Sequence, residues 1–147
     1  MRGPCPFDRL KDAWRALWQA RRVIIAYDPH PDGQPDPGEV IWTWVAYEDD
    51  PTQGKDRPVL LIAREGEQLI GLMMTSVDHD RDMADEAAAG RHWYNLGPGP
   101  WDSKGRPSEV RLDRLLVIDP ADVRREGAVL DEPRFSALVA ALGPHLP

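Results

Sequence analysis

The stretch Arg57-Pro-Val-Leu-Leu-Ile-Ala-Arg-Glu-Gly-Glu-Gln-Leu-Ile-Gly-Leu-Met-Met-Thr75 decides the fold class. Its first part, Arg57 to Ala63, is apolar and reads as a buried strand, with Pro58 confined to the strand's start or to an edge because it has no N–H to give a neighbour. Glu65-Gly66-Glu67 reads as a hairpin turn and Gln68 to Thr75 as the strand after it. Upstream, Glu39 to Tyr47 is β-branched and aromatic, a further strand, and the acidic, turn-rich segment Glu48 to Asp56 joins it to Arg57. Three successive strands with short turns make a meander. Downstream, Asp78 to Gly105 dissolves into charge, an alanine patch and Gly97-Pro-Gly-Pro100, with Trp93, Tyr94 and Trp101 spread through it; this predicts an exposed excursion with about one helical turn. Regularity returns in Ser108 to Ile118, where Val110 and Leu112 alternate with Arg111 and Asp113 as a half-buried strand requires. Asp119-Pro120 then offers an N-cap followed by Pro at a first helical position. Asp131 starts a last helix that ends at Gly143-Pro144 and buries Phe135, Leu138, Val139 and Leu142.

Before the meander, Phe7, Leu10, Ala13, Trp14, Leu17 and Trp18 recur at helical spacing, with acids early and Arg21 and Arg22 late to suit the helix dipole. Val23 to Tyr27 is a possible short strand. Residues 28–38 then concentrate Pro, Gly and Asp, so residues 1–37 read as a helical extension with a linker and residues 38–147 as the main domain. A length of 147 residues fits one domain, and 41% hydrophobic residues with six Trp give it a core to fold around.

Composition also narrows the function. No stretch reaches the roughly 18 apolar residues of a membrane span and no apolar signal core follows the N-terminus, so the expectation is a cytoplasmic protein with no membrane contact. The single Cys5 permits neither an internal disulfide nor a cysteine zinc knuckle. A net charge of −7 argues against coating nucleic acid non-specifically, since phosphate binding draws on Lys and Arg displacing counterions. The cations are nevertheless clustered, at Lys55, Arg57, Lys104, Arg106, Arg111 and Arg114, which leaves room for a basic groove on an acidic body.

Arg111 and Asp113 lie two apart on a strand, on one face and about 7 Å apart along the chain, and can share one substrate. Cleaving RNA through its own 2′-hydroxyl needs a base for that proton, a cation for the extra charge on the pentacoordinate phosphate, and an acid for the leaving 5′-oxygen; the pair could supply the first two. An ordinary solvated ion pair has the same sequence. Thr75-Ser76 could donate to phosphate oxygens or cap the next turn, and Trp93, Tyr94 and Trp101 could stack on bases or pin a loop. The Asp78-to-Asp82 run matches no metal-ligand spacing, and no phosphate loop, Ser/His/Asp arrangement or dinucleotide fingerprint occurs, so no metal and no cofactor are expected.

Gly38-Glu-Val-Ile-Trp42, Asp50-Pro-Thr-Gln-Gly54 and Arg57-Pro-Val-Leu60 together resemble the first hairpin of PemK/MazF-like toxins. Thr75-Ser76 is similar to that family's strand end, and Val110-Arg-Leu-Asp-Arg114 with Val117-Ile-Asp119 to its V-R-x-D segment. The ordered set spans roughly 100 residues. The resemblance implies a mainly β (α+β) fold, an SH3-like PemK/CcdB-type β-barrel with a C-terminal helix, here preceded by the N-terminal helical extension. It implies a homodimer that cuts single-stranded RNA and is held in check by a cognate antitoxin. Carried over, Arg111 stabilises the phosphorane, Asp113 is the base, Arg57 sits near the scissile phosphate, and Thr75 and Ser76 hold substrate; Lys55, Ser108 and Trp101 are further candidate substrate contacts in this chain. This chain lacks the family's loop histidine, which Lys55 replaces, and places Glu109 beside Arg111. A silent barrel that binds a protein partner is the other function left open: exposed, convergent Arg57, Arg111, Asp113 and Thr75 would favour the nuclease, salt-bridged side chains the binding module.

Overall fold

The computed structural model describes residues 23–77 and 82–146. The predicted first helix therefore lies outside the described residues. Seven strands among them form one antiparallel sheet: β1 (Ile24–Ile25), β2 (Glu39–Ala46), β3 (Gly54–Glu65), β4 (Gln68–Thr75), β5 (Trp93–Gly97), β6 (Ser108–Ile118) and β7 (Arg125–Val129). The strand order is β5-β6-β4-β3-β2-β7, with β1 paired to the far end of β3 beyond the reach of β2. A short helix α1 (Met83–Ala88) precedes β5, a 3-10 turn (Pro120–Asp122) precedes β7, and α2 (Glu132–Leu142) follows it. The class is mainly β with a C-terminal helix, as the sequence predicts.

The sheet curls because its ladders are interrupted. Register shifts fall between Leu61 and Ala63, between Leu72 and Met74, between Asn95 and Gly97, and between Val40 and Ile41, and each extra residue bends its strand and adds twist. The result is a half-barrel. Gly71 lets β4 lie close on β3: a Cβ there would meet Val59 Cγ1 at 2.5 Å and the Leu60 carbonyl at 3.0 Å. Gly66 turns the β3–β4 hairpin at φ +57°, a left-handed conformation that side chains resist.

Alternation along β3 sorts its side chains onto two buried faces. Leu60 and Ile62 join the cluster under α2 with Phe135, Leu138, Leu142 and Trp101, whereas Val59 and Leu61 join Ile41, Val45, Leu69 and Met73 on the opposite face. This explains the nearly unbroken apolar run. Residues 23–37 pack on the same body, with Val23 in the first cluster, Tyr27 Oη donating to the Leu130 carbonyl at 2.6 Å, and Arg64 Nη2 bonded to Asp36 at 2.7 Å.

Two elements differ from the sequence reading. The 78–105 excursion contains, besides the expected helical turn, the edge strand β5, which pairs Trp93 with Arg111 and Tyr94 with Val110. Asp119-Pro120 opens only the 3-10 turn, capped by Asp119 Oδ1 accepting from Ala121 N, and the chain then enters β7 on the edge of β2.

Candidate functional site

Beside β6, the residues after β2, parts of β3 and β4 and the edge of the 82–97 segment border an open cavity of about 420 Å³. Arg111, Arg114, Arg57, Lys55 and Arg91 line it, against three acids, Glu48, Asp49 and Glu86. Cations thus outnumber acids locally on a chain whose net charge is −7. Thr75, Tyr47 and Trp93 supply the remaining polar and aromatic wall.

Arg111 is the buried member, 6% exposed, because both faces of the sheet are covered where β6 runs between β4 and β5. A desolvated guanidinium persists only when paired. Its Nε donates to Asp113 Oδ1 and Oδ2 at 3.1 Å each, and its Nη2 donates to Asp113 Oδ2 at 2.8 Å and lies 2.7 Å from Glu48 Oε2. Asp113 Oδ1 also accepts from the His92 backbone N–H at 2.6 Å. Asp113 is therefore fastened behind Arg111 and is not among the cavity's lining residues.

Arg114 Nη2 donates to the Ala46 carbonyl at 2.9 Å, tying β6 to the end of β2, and its Nε lies 3.8 Å from Glu48 Oε2. Burial pushes the Arg114 pKa down, partly opposed by Glu48. Burial likewise pushes Arg57 down, and Arg57 has no hydrogen-bond or ion-pair partner among the described residues; only the nearby Tyr47 opposes the shift. Guanidinium nonetheless stays protonated, so Arg57 is a half-buried charge with no counterion bonded to it among the described residues.

The structure thus brings Arg111, Arg57, Lys55 and Thr75 together around one cavity, with Asp113 directly behind. Thr75 is buried and its Oγ1 accepts from Val77 N at 3.2 Å, the turn-capping arrangement, while Ser76 is exposed and outside the lining. Ser108 and Trp101 lie away from the cavity: Trp101 Nε1 donates to Ser108 Oγ at 2.9 Å and the Trp101 carbonyl accepts from Trp42 Nε1 at 3.1 Å, which pins the 98–107 loop to the barrel. Arg106 is bonded to Asp102 at 2.9 Å, and neither it nor Lys104 lines the cavity.

Sequence reasoning missed Glu48, taken as one acid of a turn, and Glu86, which accepts from Arg91 Nε at 2.5 Å and from Trp93 Nε1 at 3.1 Å and so fastens α1 to the site's rim. The available signal was position: Glu48 stands two residues past the end of β2, at the same end of the sheet as Arg57. Among the described residues no three His, Cys, Asp or Glu side chains come together as metal ligands, and no helix is long and apolar enough to cross a membrane.

A family model described as the PemK-like, MazF-like toxin of type II toxin-antitoxin systems matches residues 36–146. Among solved structures, MazF from Deinococcus radiodurans (Form-I) is similar with a TM-score of 0.54 at 17% identity, over 77% of this chain and 96% of that one. The MazE-MazF complex from the same organism (Form-II) gives 0.52 at 17% identity over the same shares. An endoribonuclease in complex with its cognate antitoxin from a mycobacterial species gives 0.54 at 13% identity, over 76% of this chain and 93% of that one. No curated protein matches the chain. At such identities the solved structures establish the fold, and the family match runs from just before β2 to the end of the described chain. The chain belongs to the PemK-like, MazF-like toxin family of type II toxin-antitoxin systems.

Proposed function

We propose that this protein is an endoribonuclease that cuts single-stranded RNA through the RNA's own 2′-hydroxyl, works as a homodimer and is restrained by a cognate antitoxin. The observation that carries the reading is the convergence on one open cavity of buried Arg111 and half-buried Arg57, which has no partner among the described residues. A phosphate entering there supplies the counter-charge that half-buried Arg57 lacks among the described residues. Charge developing on a pentacoordinate phosphate is then stabilised by preoriented donors in a low dielectric, where each interaction exceeds its value in water. Lys55, exposed at the cavity mouth, meets a neighbouring phosphate, and one of the two carboxylates on Arg111 takes the 2′-hydroxyl proton.

The solved toxins found with an antitoxin support such a partner here. Exposed Trp44, Val117 and Val129 on the sheet supply apolar surface for a second copy or for the antitoxin.

One observation favours the rival reading of a silent, partner-binding barrel: Arg111 is bridged by Glu48 and Asp113 instead of standing free. Incubating the purified full chain with a long single-stranded RNA in EDTA, beside a folded Arg111→Ala variant, separates the two. The nuclease gives cuts at discrete sites, slowed by at least about 10²-fold in Arg111→Ala, the usual loss on removing one transition-state donor. RNA left intact with no antitoxin present assigns the cavity to the binding module.

A further inference from the structure

We infer that Glu48, and not Asp113, is the general base of the site, with Asp113 a positioning residue that holds Arg111; the inference rests on the nuclease reading. A base must have a lone pair aimed at the substrate. Asp113 receives three N–H contacts from Arg111 and one from the His92 backbone, its side chain is 15% exposed, and it does not line the cavity. Those donors fill most of the roughly four acceptor positions a carboxylate has. Glu48 is the opposite case. Its side chain is 43% exposed, it lines the cavity, and both its cation contacts, to Arg111 Nη2 and Arg114 Nε, fall on Oε2. The nearest approach of both cations is to Oε2, which leaves Oε1 the oxygen farther from Arg111 and Arg114.

The loop that carries Glu48 is fixed. Tyr47 N donates to the Gln53 carbonyl at 2.8 Å, Asp50 Oδ1 accepts from the Thr52 backbone and hydroxyl, and the Ala46 carbonyl before the loop is held by Arg114. Held so, Glu48 faces the phosphate site on a guanidinium it shares with the substrate.

The step balances without any further reagent. Glu48 Oε1 takes the 2′-hydroxyl proton and the 2′-oxygen's electron pair forms the new bond to phosphorus. The bond from phosphorus to the 5′-oxygen breaks, its pair leaves with that oxygen, and a proton from water or from the protonated Glu48 completes the 5′-hydroxyl. The other product is a 2′,3′-cyclic phosphate. Nothing is oxidised or reduced.

Single-turnover cleavage by wild type, Glu48→Gln, Glu48→Ala and Asp113→Asn, read beside binding of an uncleavable 2′-deoxy strand of the same sequence, tests the assignment. Glu48→Gln keeps the side chain's size on an exposed loop, and its cleavage rate falls by about 10²–10⁴-fold, the usual span for a positioned base, while the deoxy strand binds unchanged or more tightly. Added formate restores part of the rate to Glu48→Ala. Asp113→Asn weakens deoxy-strand binding as well, because Arg111 is no longer held, and formate does not help it. A Glu48→Gln variant as fast as wild type, or faster, overturns the assignment; the faster result makes Glu48 a carboxylate standing in the phosphate's place. A wild type that cuts no RNA is a different failure, since it removes the nuclease reading and the base with it.

Discussion

Arg111 illustrates how burial changes what a residue on a strand does. The alternation in Ser108 to Ile118 puts Arg111 and Asp113 on one face, and that much follows from sequence. Sequence gives no warning that this face is covered as well: β5 pairs along β6 and the segment before it crosses the site, so a pair expected at the solvent surface becomes a desolvated one. In that setting shape counts as much as charge. Arg111→Lys keeps the positive charge but cannot present Nε and Nη2 to Asp113 and Nη2 to Glu48 together, and it should lose nearly as much cleavage as Arg111→Ala. A Lys variant cutting at the wild-type rate would show that only a point charge is needed. Arg57 was legible because the Arg-Pro-Val segment fixes it at the start of the buried part of β3. Glu48 was not, since one acid among several in a turn carries no periodic signal, and only the folded ends of β2 and β6 bring it to Arg111. Trp101 and Ser108 show the converse: residue types suited to RNA contact spend their polar atoms on each other inside the barrel.

At the scale of elements, the strands with strong apolar content were legible almost to the residue, as Gln68–Thr75 and Ser108–Ile118 show. The edge strands β5 and β7 were not, because each is five residues long and carries turn-forming or charged residues that an edge tolerates and an interior does not. The close approach of β3 and β4 makes Gly71→Ala destabilising by about 1–3 kcal/mol, since the added methyl must displace Val59 or the Leu60 carbonyl; urea unfolding reads this directly, and an unchanged midpoint would show that the bulged ladder gives way. The last helix was read from its cap. Asp131 accepts from the Arg134 backbone N–H at 3.1 Å and from its side chain, and this holds the Asp131 carboxyl below its ordinary pKa, chiefly through the side-chain bond. A carboxyl depressed in the folded state stabilises above its ordinary pKa, and the contribution disappears as pH falls through the depressed value. Asp131→Asn should therefore flatten the loss of stability on acidification below about pH 4, where an ordinary aspartate titrates. Thermal unfolding of both proteins across that range checks the slope, and parallel profiles would contradict it.

For the whole molecule, an acidic body with a cationic cavity predicts weakly salt-dependent binding of RNA. If Lys55, Arg57 and Arg111 each meet a phosphate, the logarithm of affinity should fall with that of salt concentration at a slope near −2, about −0.7 per contact for single strands. Lys55→Ala should reduce the slope by about 0.7, whereas Lys104→Ala, outside the cavity, should leave it unchanged. Net charge alone argues only against coating nucleic acid non-specifically; the clustered cations in the sequence leave room for a basic groove, and Lys55, Arg57 and Arg111 do share one cavity. The most direct test of the account uses an RNA carrying one 2′-deoxyribose immediately 5′ of a mapped cleavage position. The account predicts that this bond stays intact while other sites in the same strand are cut; cleavage at the substituted position would show that the 2′-hydroxyl is not the nucleophile and that the chemistry assigned to the Arg111 cavity is wrong.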